Sequence, residues 1–133
     1  MSKSTIYTAN TMATTVTPGN IIPLGATIRR FGCNIAQDGN TITLTGKGYY
    51  LINVSATVNP TAIGNVGITM LKDGVPVVGA TVSGSVSTAN NSAALPITAV
   101  VRNNCDCDTS IISFILNTTT SSIVNFAVNV EKL

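Results

Sequence analysis

The segment after Gly46-Lys47-Gly48 constrains the fold of this chain more than any other. Tyr50, Ile52, Val54, Ala56 and Val58 alternate with Tyr49, Leu51, Asn53, Ser55 and Thr57. A period of two sends successive side chains to opposite faces of a strand. The first set is apolar throughout and is expected in a core, while the second grows polar toward its end. No stretch of the chain sustains the 3.6-residue period of a helix, so no long helix is expected.

The rest of the sequence repeats this strand-and-turn rhythm. Valine, isoleucine and threonine number 14, 14 and 20, so 48 of 133 residues are β-branched, stiff at χ1 and suited to a pleated surface. Short strands are expected at Ile21–Leu24, where Pro23 weakens pairing, at Ala26–Ile35 and at Thr41–Thr45. Others follow at Val66–Met70, Val75–Val82, Ala93–Val101, Ile111–Leu116 and Ile123–Val130. Asp38-Gly39-Asn40 and Asp73-Gly74 read as tight hairpin turns. Eight to ten antiparallel strands with turns every 8 to 12 residues or so describe an all-β sandwich or barrel in one domain, residues 1–133. Residues 1–20 are polar and threonine-rich. They read as an N-terminal arm, with a candidate short first strand at Ile6-Tyr7, suited to a sheet edge or to attachment.

Charge excludes several functions. Only 9% of residues are charged, seven basic and five acidic, and Arg29-Arg30 is the one adjacent basic pair. Nucleic-acid binding requires a basic stripe that neutralises several phosphates, and none is present. Low charge also leaves little repulsion between copies, which favours self-association. No apolar run approaches the ~20 residues of a membrane helix. The start, MSKSTIYTANTMATT, lacks the apolar core of a signal peptide, which implies cytoplasmic synthesis without general secretory export. The sequons at Asn53, Asn90 and Asn117 then read as chance in a chain rich in asparagine, threonine and serine.

Catalytic chemistry is sparsely provided. Without histidine there is no Ser-His-Asp or Cys-His arrangement and no usual zinc-histidine site. The acids Asp38, Asp73, Asp106 and Asp108 fall mostly in turns, where Asp-Gly is ordinary turn chemistry. Gly46-Lys47-Gly48 precedes a strand and is no phosphate loop. The expectation is a protein that is not an enzyme and carries no cofactor or metal. Most of the six aromatics fall at core-phase positions, which gives a sugar-stacking site little support.

Cys105-Asp106-Cys107 is the one unusual local pattern, placed in a turn between two late strands. Three states are open to it. The thiols are reduced, as in a cytoplasm; or a disulfide joins them to Cys33 or to another subunit; or Cys and Asp from several subunits hold a metal. Two cysteines alone lack the four ligands of a structural zinc site.

The order of parts resembles the tumour necrosis factor and complement globular-head superfamily. The resemblance rests on Phe31, on DGNTITLTGKGYYLINVSATV, on the hairpin VGITMLKDGVPV and on the late apolar strands ending in VNVEKL, and it covers roughly residues 29–131. It implies a ten-stranded TNF-like jelly roll that packs as a homotrimer, with the outer-face pair Tyr49 and Leu51 in the subunit interface. The alternative is that this pair lies under a loop of its own chain. The chain departs from animal members in having no collagen-like stalk, membrane anchor or calcium-binding acidic cluster. Its short form, with SGSVSTANNSAALPITAVVR and a cysteine-bearing turn, is similar to virion proteins encoded by phages and prophages of Gram-positive bacteria. That implies a structural virion protein, made in the host bacterial cytoplasm and placed on a capsid or tail as decoration, head fibre or appendage. Its partners are then itself and other virion proteins, with a cell-surface ligand as a further option. The alternatives are a receptor- or carbohydrate-binding tip and a bacterial spore-surface protein of the same fold.

Overall fold

A computed structural model of the chain describes residues 4–105 and 107–133. Twelve strands are present and no helix occurs among the described residues. In chain order they are β1 (Thr5–Asn10), β2 (Thr14–Val16), β3 (Ala26–Phe31), β4 (Ile35–Asp38), β5 (Thr41–Thr45) and β6 (Gly48–Pro60). Then come β7 (Gly64–Lys72), β8 (Val75–Val86), β9 (Ala93–Ala94), β10 (Ile97–Asn103), β11 (Thr109–Asn117) and β12 (Ser121–Lys132). They form two antiparallel sheets. One runs β10-β6-β12-β1-β3, with β2 on β12 and β9 on β6; the other runs β4-β5-β11-β7-β8. This is the all-β jelly-roll sandwich expected from the sequence.

The alternation in β6 explains the core. Tyr50, Ile52, Val54, Ala56 and Val58 are all buried. They meet Ile42, Leu44, Ile68, Met70, Ile112, Phe114 and Leu116 of the five-stranded sheet in one apolar cluster. Phe114 of β11 and Phe126 of β12 bridge the sheets edge to face, with centroids 5.3 Å apart and ring planes at 71°. Each such fully buried side chain contributes roughly 1.5–3 kcal/mol through loss of water contact. The Tyr50 hydroxyl lies 2.9 Å from the carbonyls of Thr45 and Gly46, so its buried polar end is satisfied by the turn before its own strand.

Three expectations change. First, the candidate strand at Ile6-Tyr7 is present as β1, but it is neither a free arm nor an edge. β1 pairs with β12 on one side and β3 on the other, and Ile6 and Thr8 are fully buried. Polar composition misled because threonine is also a good strand former, and here Ile6 and Thr8 take the inward phase while Tyr7 faces out. Second, Ile21–Leu24 forms no named strand. The Gly19 and Ile22 amides donate to the Leu116 and Phe114 carbonyls, each at 2.8 Å, and Ile21 bridges Ile115. The pairing stops at Pro23, which has no amide to donate. Third, two expected strands are divided. A turn at 32–34 separates β3 from β4, and Leu95-Pro96 separates β9 from β10.

The turn into β3 needs glycine. Gly25 has φ +78°, and a Cβ there would meet Asn10 Cα at 2.7 Å, so the close approach of this turn to β1 admits no side chain.

Candidate interaction surface

The outward set of β6 lies on the exposed face of the seven-stranded sheet, and the strand register extends it into rows. One row crosses five strands as Val100, Leu51, Glu131, Thr5 and Phe31. The next, two residues along, is Thr98, Asn53, Asn129, Tyr7 and Arg29. A third is Ser55, Ala127, Ala9 and Ala26. Beyond the first row, at the opposite end, Arg102 pairs with Tyr49, and the Leu133 amide donates to the Tyr49 carbonyl. The face is therefore graded, aromatic and aliphatic at one end, amide and hydroxyl in the middle, small at the other.

The graded face stands open. Tyr49 is 50% exposed and Phe31 67% exposed, with Val100 and Leu133 also exposed and Leu51 half-buried between its neighbours. Tyr49 is thus not covered by a loop of its own chain. The Arg102 guanidinium sits 5.4 Å from the Tyr49 ring centroid, a cation-π contact of about 0.5–1 kcal/mol at an exposed site. A groove of about 570 Å³ opens between Phe31 and the C-terminal residues Glu131, Lys132 and Leu133. In the amide row the Thr98 hydroxyl donates to Asn53 Oδ1 at 3.0 Å and the Thr5 hydroxyl to Asn129 Oδ1 at 3.5 Å. Where the third row shrinks to alanine and serine, a shallow hollow of about 270 Å³ forms. Tyr7, Asn53, Asn125 and Asn129 stand around its floor of Ser55 and Ala127.

These rows correct one expectation and extend another. Tyr50, Phe114 and Phe126 are core residues, but Tyr7, Phe31 and Tyr49 are not, so half of the aromatics lie on the surface. Tyr49 and Leu51 do share the outer face, but sequence reasoning missed that Val100, Phe31 and Tyr7 join them. Tyr7 was recoverable from its alternation with Ile6 and Thr8. Phe31 was not, because its place depends on the register of β3 against β1.

The acids serve turns. Asp73 Oδ1 accepts the Ile111 amide at 2.8 Å, and the Asp73 amide donates to the Ile111 carbonyl at 2.8 Å, which ties the β7–β8 hairpin to β11. In the β10–β11 turn, Asp108 Oδ2 accepts the amides of Asn104 at 2.9 Å and Cys105 at 3.2 Å. Cys105 and Cys107 are joined to each other by a disulfide, with Cα atoms 5.3 Å apart. Cys33, in the β3–β4 turn, is free and exposed. The three cysteines are thus not gathered into one site; of the states left open by the sequence, neither reduced thiols nor a bond to Cys33 is found at this turn, which holds a bond of its own. Asp106 lies outside the described residues.

No family model matches the sequence, and no curated protein matches it. Solved structures do share its fold. The Eiger TNF of S. frugiperda superposes with a TM-score of 0.72 at 8% identity, covering 98% of this chain and 91% of that one. The globular domain of zebrafish complement 1qA gives 0.66 at 10% identity, covering 96% and 94%. The vertex protein P5 of PRD1 gives 0.61 at 14% identity, covering 97% and 94%. At such identities the likeness concerns architecture alone, and that architecture is the TNF-like jelly-roll sandwich.

Proposed function

We propose that this chain is a non-enzymatic structural protein of a bacteriophage virion, working as a homotrimer through the graded face of its seven-stranded sheet. The observation that carries the reading is that open face. Tyr49, Leu51, Val100, Phe31 and Leu133 place an aromatic-aliphatic end on a sheet whose other side is a complete core. Tyr49, Leu51 and Val100 are neighbours at that end, with Phe31 beyond Glu131 and Thr5, and apolar surface left open in this way is typical of an interface. Cyclic threefold packing of copies covers it without a foreign partner. The fold shared with a phage vertex protein supports the virion setting, in which other capsid or tail proteins are the further partners.

The oligomer is tested by light scattering behind a sizing column, with and without reductant. A mass near three times 13.7 kDa in both conditions is expected; a monomer at all concentrations overturns the trimer. Mass spectrometry of purified particles tests the setting, since particles that lack the chain would sink the virion assignment.

A second reading, a receptor- or carbohydrate-binding tip, is favoured by the hollow beside Tyr7. An uncharged ring of asparagine amides around small residues, with one aromatic at its edge, suits a neutral, hydroxyl-rich ligand. Binding of a glycan that Tyr7→Ala abolishes is the outcome that reading requires.

A further inference from the structure

The β10–β11 turn holds a group of donors that neither the core nor the graded face uses. Cys105 Sγ, Cys107 Sγ and an Asp108 carboxylate oxygen all lie within 4.8 Å of one another. Cys107 is exposed and the other two are half-buried, so solvent reaches the group. We propose that this turn is a reversible dithiol-disulfide site whose open, reduced form binds one thiophilic divalent cation per chain.

The geometry supports both states. A disulfide that spans a single intervening residue closes almost no loop, so it removes little entropy from the unfolded chain and is a poor staple. The turn is held by other means. The Asp108 amide donates to the Cys105 carbonyl at 3.0 Å, the Asp108 carbonyl accepts the Gly46 amide at 3.1 Å, and Asp108 Oδ2 caps two amides. Just before the turn, buried Asn103 donates through Nδ2 to the Leu44 carbonyl at 3.2 Å and accepts the Ser110 hydroxyl. None of these bonds involves sulfur, so opening the disulfide leaves Cys105 and Asp108 in place, and Cys107 stays beside Asp108 through the chain itself.

Donor spacing then favours a soft metal ion. A tetrahedral cation with bonds of about 2.0–2.3 Å holds its ligand atoms roughly 3.3–3.8 Å apart. Asp108 Oδ1 already lies 3.4 Å from Cys105 Sγ, and the freed Cys107 sulfur has only to relax outward from bonding distance. Two thiolates with one carboxylate select zinc- or cadmium-like ions over calcium or magnesium. The exposed side of the turn leaves the fourth position to water. Binding displaces the thiol protons, so it strengthens as pH rises.

Closure balances with a low-molecular-weight disulfide, RSSR, as oxidant. One cysteine thiolate attacks RSSR, breaking its S–S bond, forming a mixed disulfide and expelling RS⁻. The second thiolate attacks the cysteine sulfur of that mixed disulfide, forming the Cys105–Cys107 bond and expelling a second RS⁻. The two protons given up by the cysteines end on two RSH. The protein dithiol is oxidised by two electrons and RSSR is reduced by two.

The test uses the full chain carrying Cys33→Ser, which removes the only other thiol. Reduced, freed of reductant without air and titrated with cadmium, it should develop the ultraviolet charge-transfer band of a cadmium thiolate, saturating at one cadmium per chain. The oxidised chain should give none. Further substitution of Cys105→Ser with Cys107→Ser should abolish the band while the circular dichroism of the sandwich is kept. Asp108→Asn, which retains an oxygen for the two amides, should weaken cadmium at least about ten-fold, a loss known even for groups outside the ligand shell. Absence of the band from the reduced chain, its survival in the serine variants, or saturation at one cadmium per two or three chains overturns the cation site. Oxidised glutathione should remove two hydrogens from the reduced chain and leave no adduct, and a lasting glutathione adduct overturns the switch.

Discussion

The two sheets share a core but turn different outer faces to solvent. On the five-stranded sheet the polar side chains largely answer one another. Thr69 is nearly buried, lies 3.2 Å from the Thr81 hydroxyl and accepts Asn117 Nδ2 at 2.6 Å. Gly67 sits opposite Asn117 in the β7–β11 register, and a Cβ there would meet the Val82 carbonyl at 2.8 Å, so only glycine fits. On the seven-stranded sheet the rows from Tyr49 to Ala26 leave rings and methyl groups uncovered. Both faces arise from the same alternation. The five-stranded sheet exposes Val75, Val78 and Ile111 but no aromatic ring, whereas the seven-stranded sheet carries all three exposed rings and needs something outside it to cover them.

That contrast can be broken from the inside first. Phe126→Ala removes the ring that joins the sheets and should cost about 3–5 kcal/mol in denaturant unfolding, with both faces lost together. Survival of one sheet's protection in hydrogen exchange would show that the two do not share a core. Next is the open face. Leu51→Lys puts a cation opposite Glu131, so folding should hold, while self-association weakens at least about ten-fold, the 1.4 kcal/mol expected of an interface anchor. Thr43→Lys on the five-stranded sheet should leave the mass unchanged. An equal loss from both variants would erase the distinction.

Two smaller changes sharpen it. Thr69→Val strips the acceptor from Asn117 and should destabilise by about 1 kcal/mol in urea, because a half-buried amide loses its partner. Thr8→Val should act in the opposite direction. The Thr8 hydroxyl is buried with no hydrogen-bond partner among the described residues, so an isosteric methyl should gain up to about 1 kcal/mol. A loss on Thr8→Val would mean that the hydroxyl is satisfied after all.

What the sequence revealed depended on how locally each feature is decided. The inward phase of β6 is local, since five alternate apolar residues settle it without reference to partners. The Asp73-Gly74 turn is local in the same sense. The rows of the open face are not, because Phe31 reaches Thr5 only through pairings that join residues 5, 31 and 131. The strand at Ile6-Tyr7 is legible locally, but its place inside the sheet is not, because only pairing on both sides, with β12 and β3, makes it interior. Ile21–Leu24 was read as a strand on apolar content, and the missing amide of Pro23 limited it to a bridge. A bond between Cys105 and Cys107 is not among the three states the sequence offers, and it is the turn that brings their Cα atoms to 5.3 Å, within the ordinary range for a disulfide.

The register rows have one more consequence. Of the fourteen residues in the three rows only Glu131 and Arg29 carry charge, and the chain holds no imidazole to change its charge between about pH 5 and 8. Charge screening, which shortens to about 8 Å at physiological salt, has little to act on there. A joint made through these rows would draw little on charge, and its strength should change little across the neutral range of acidity.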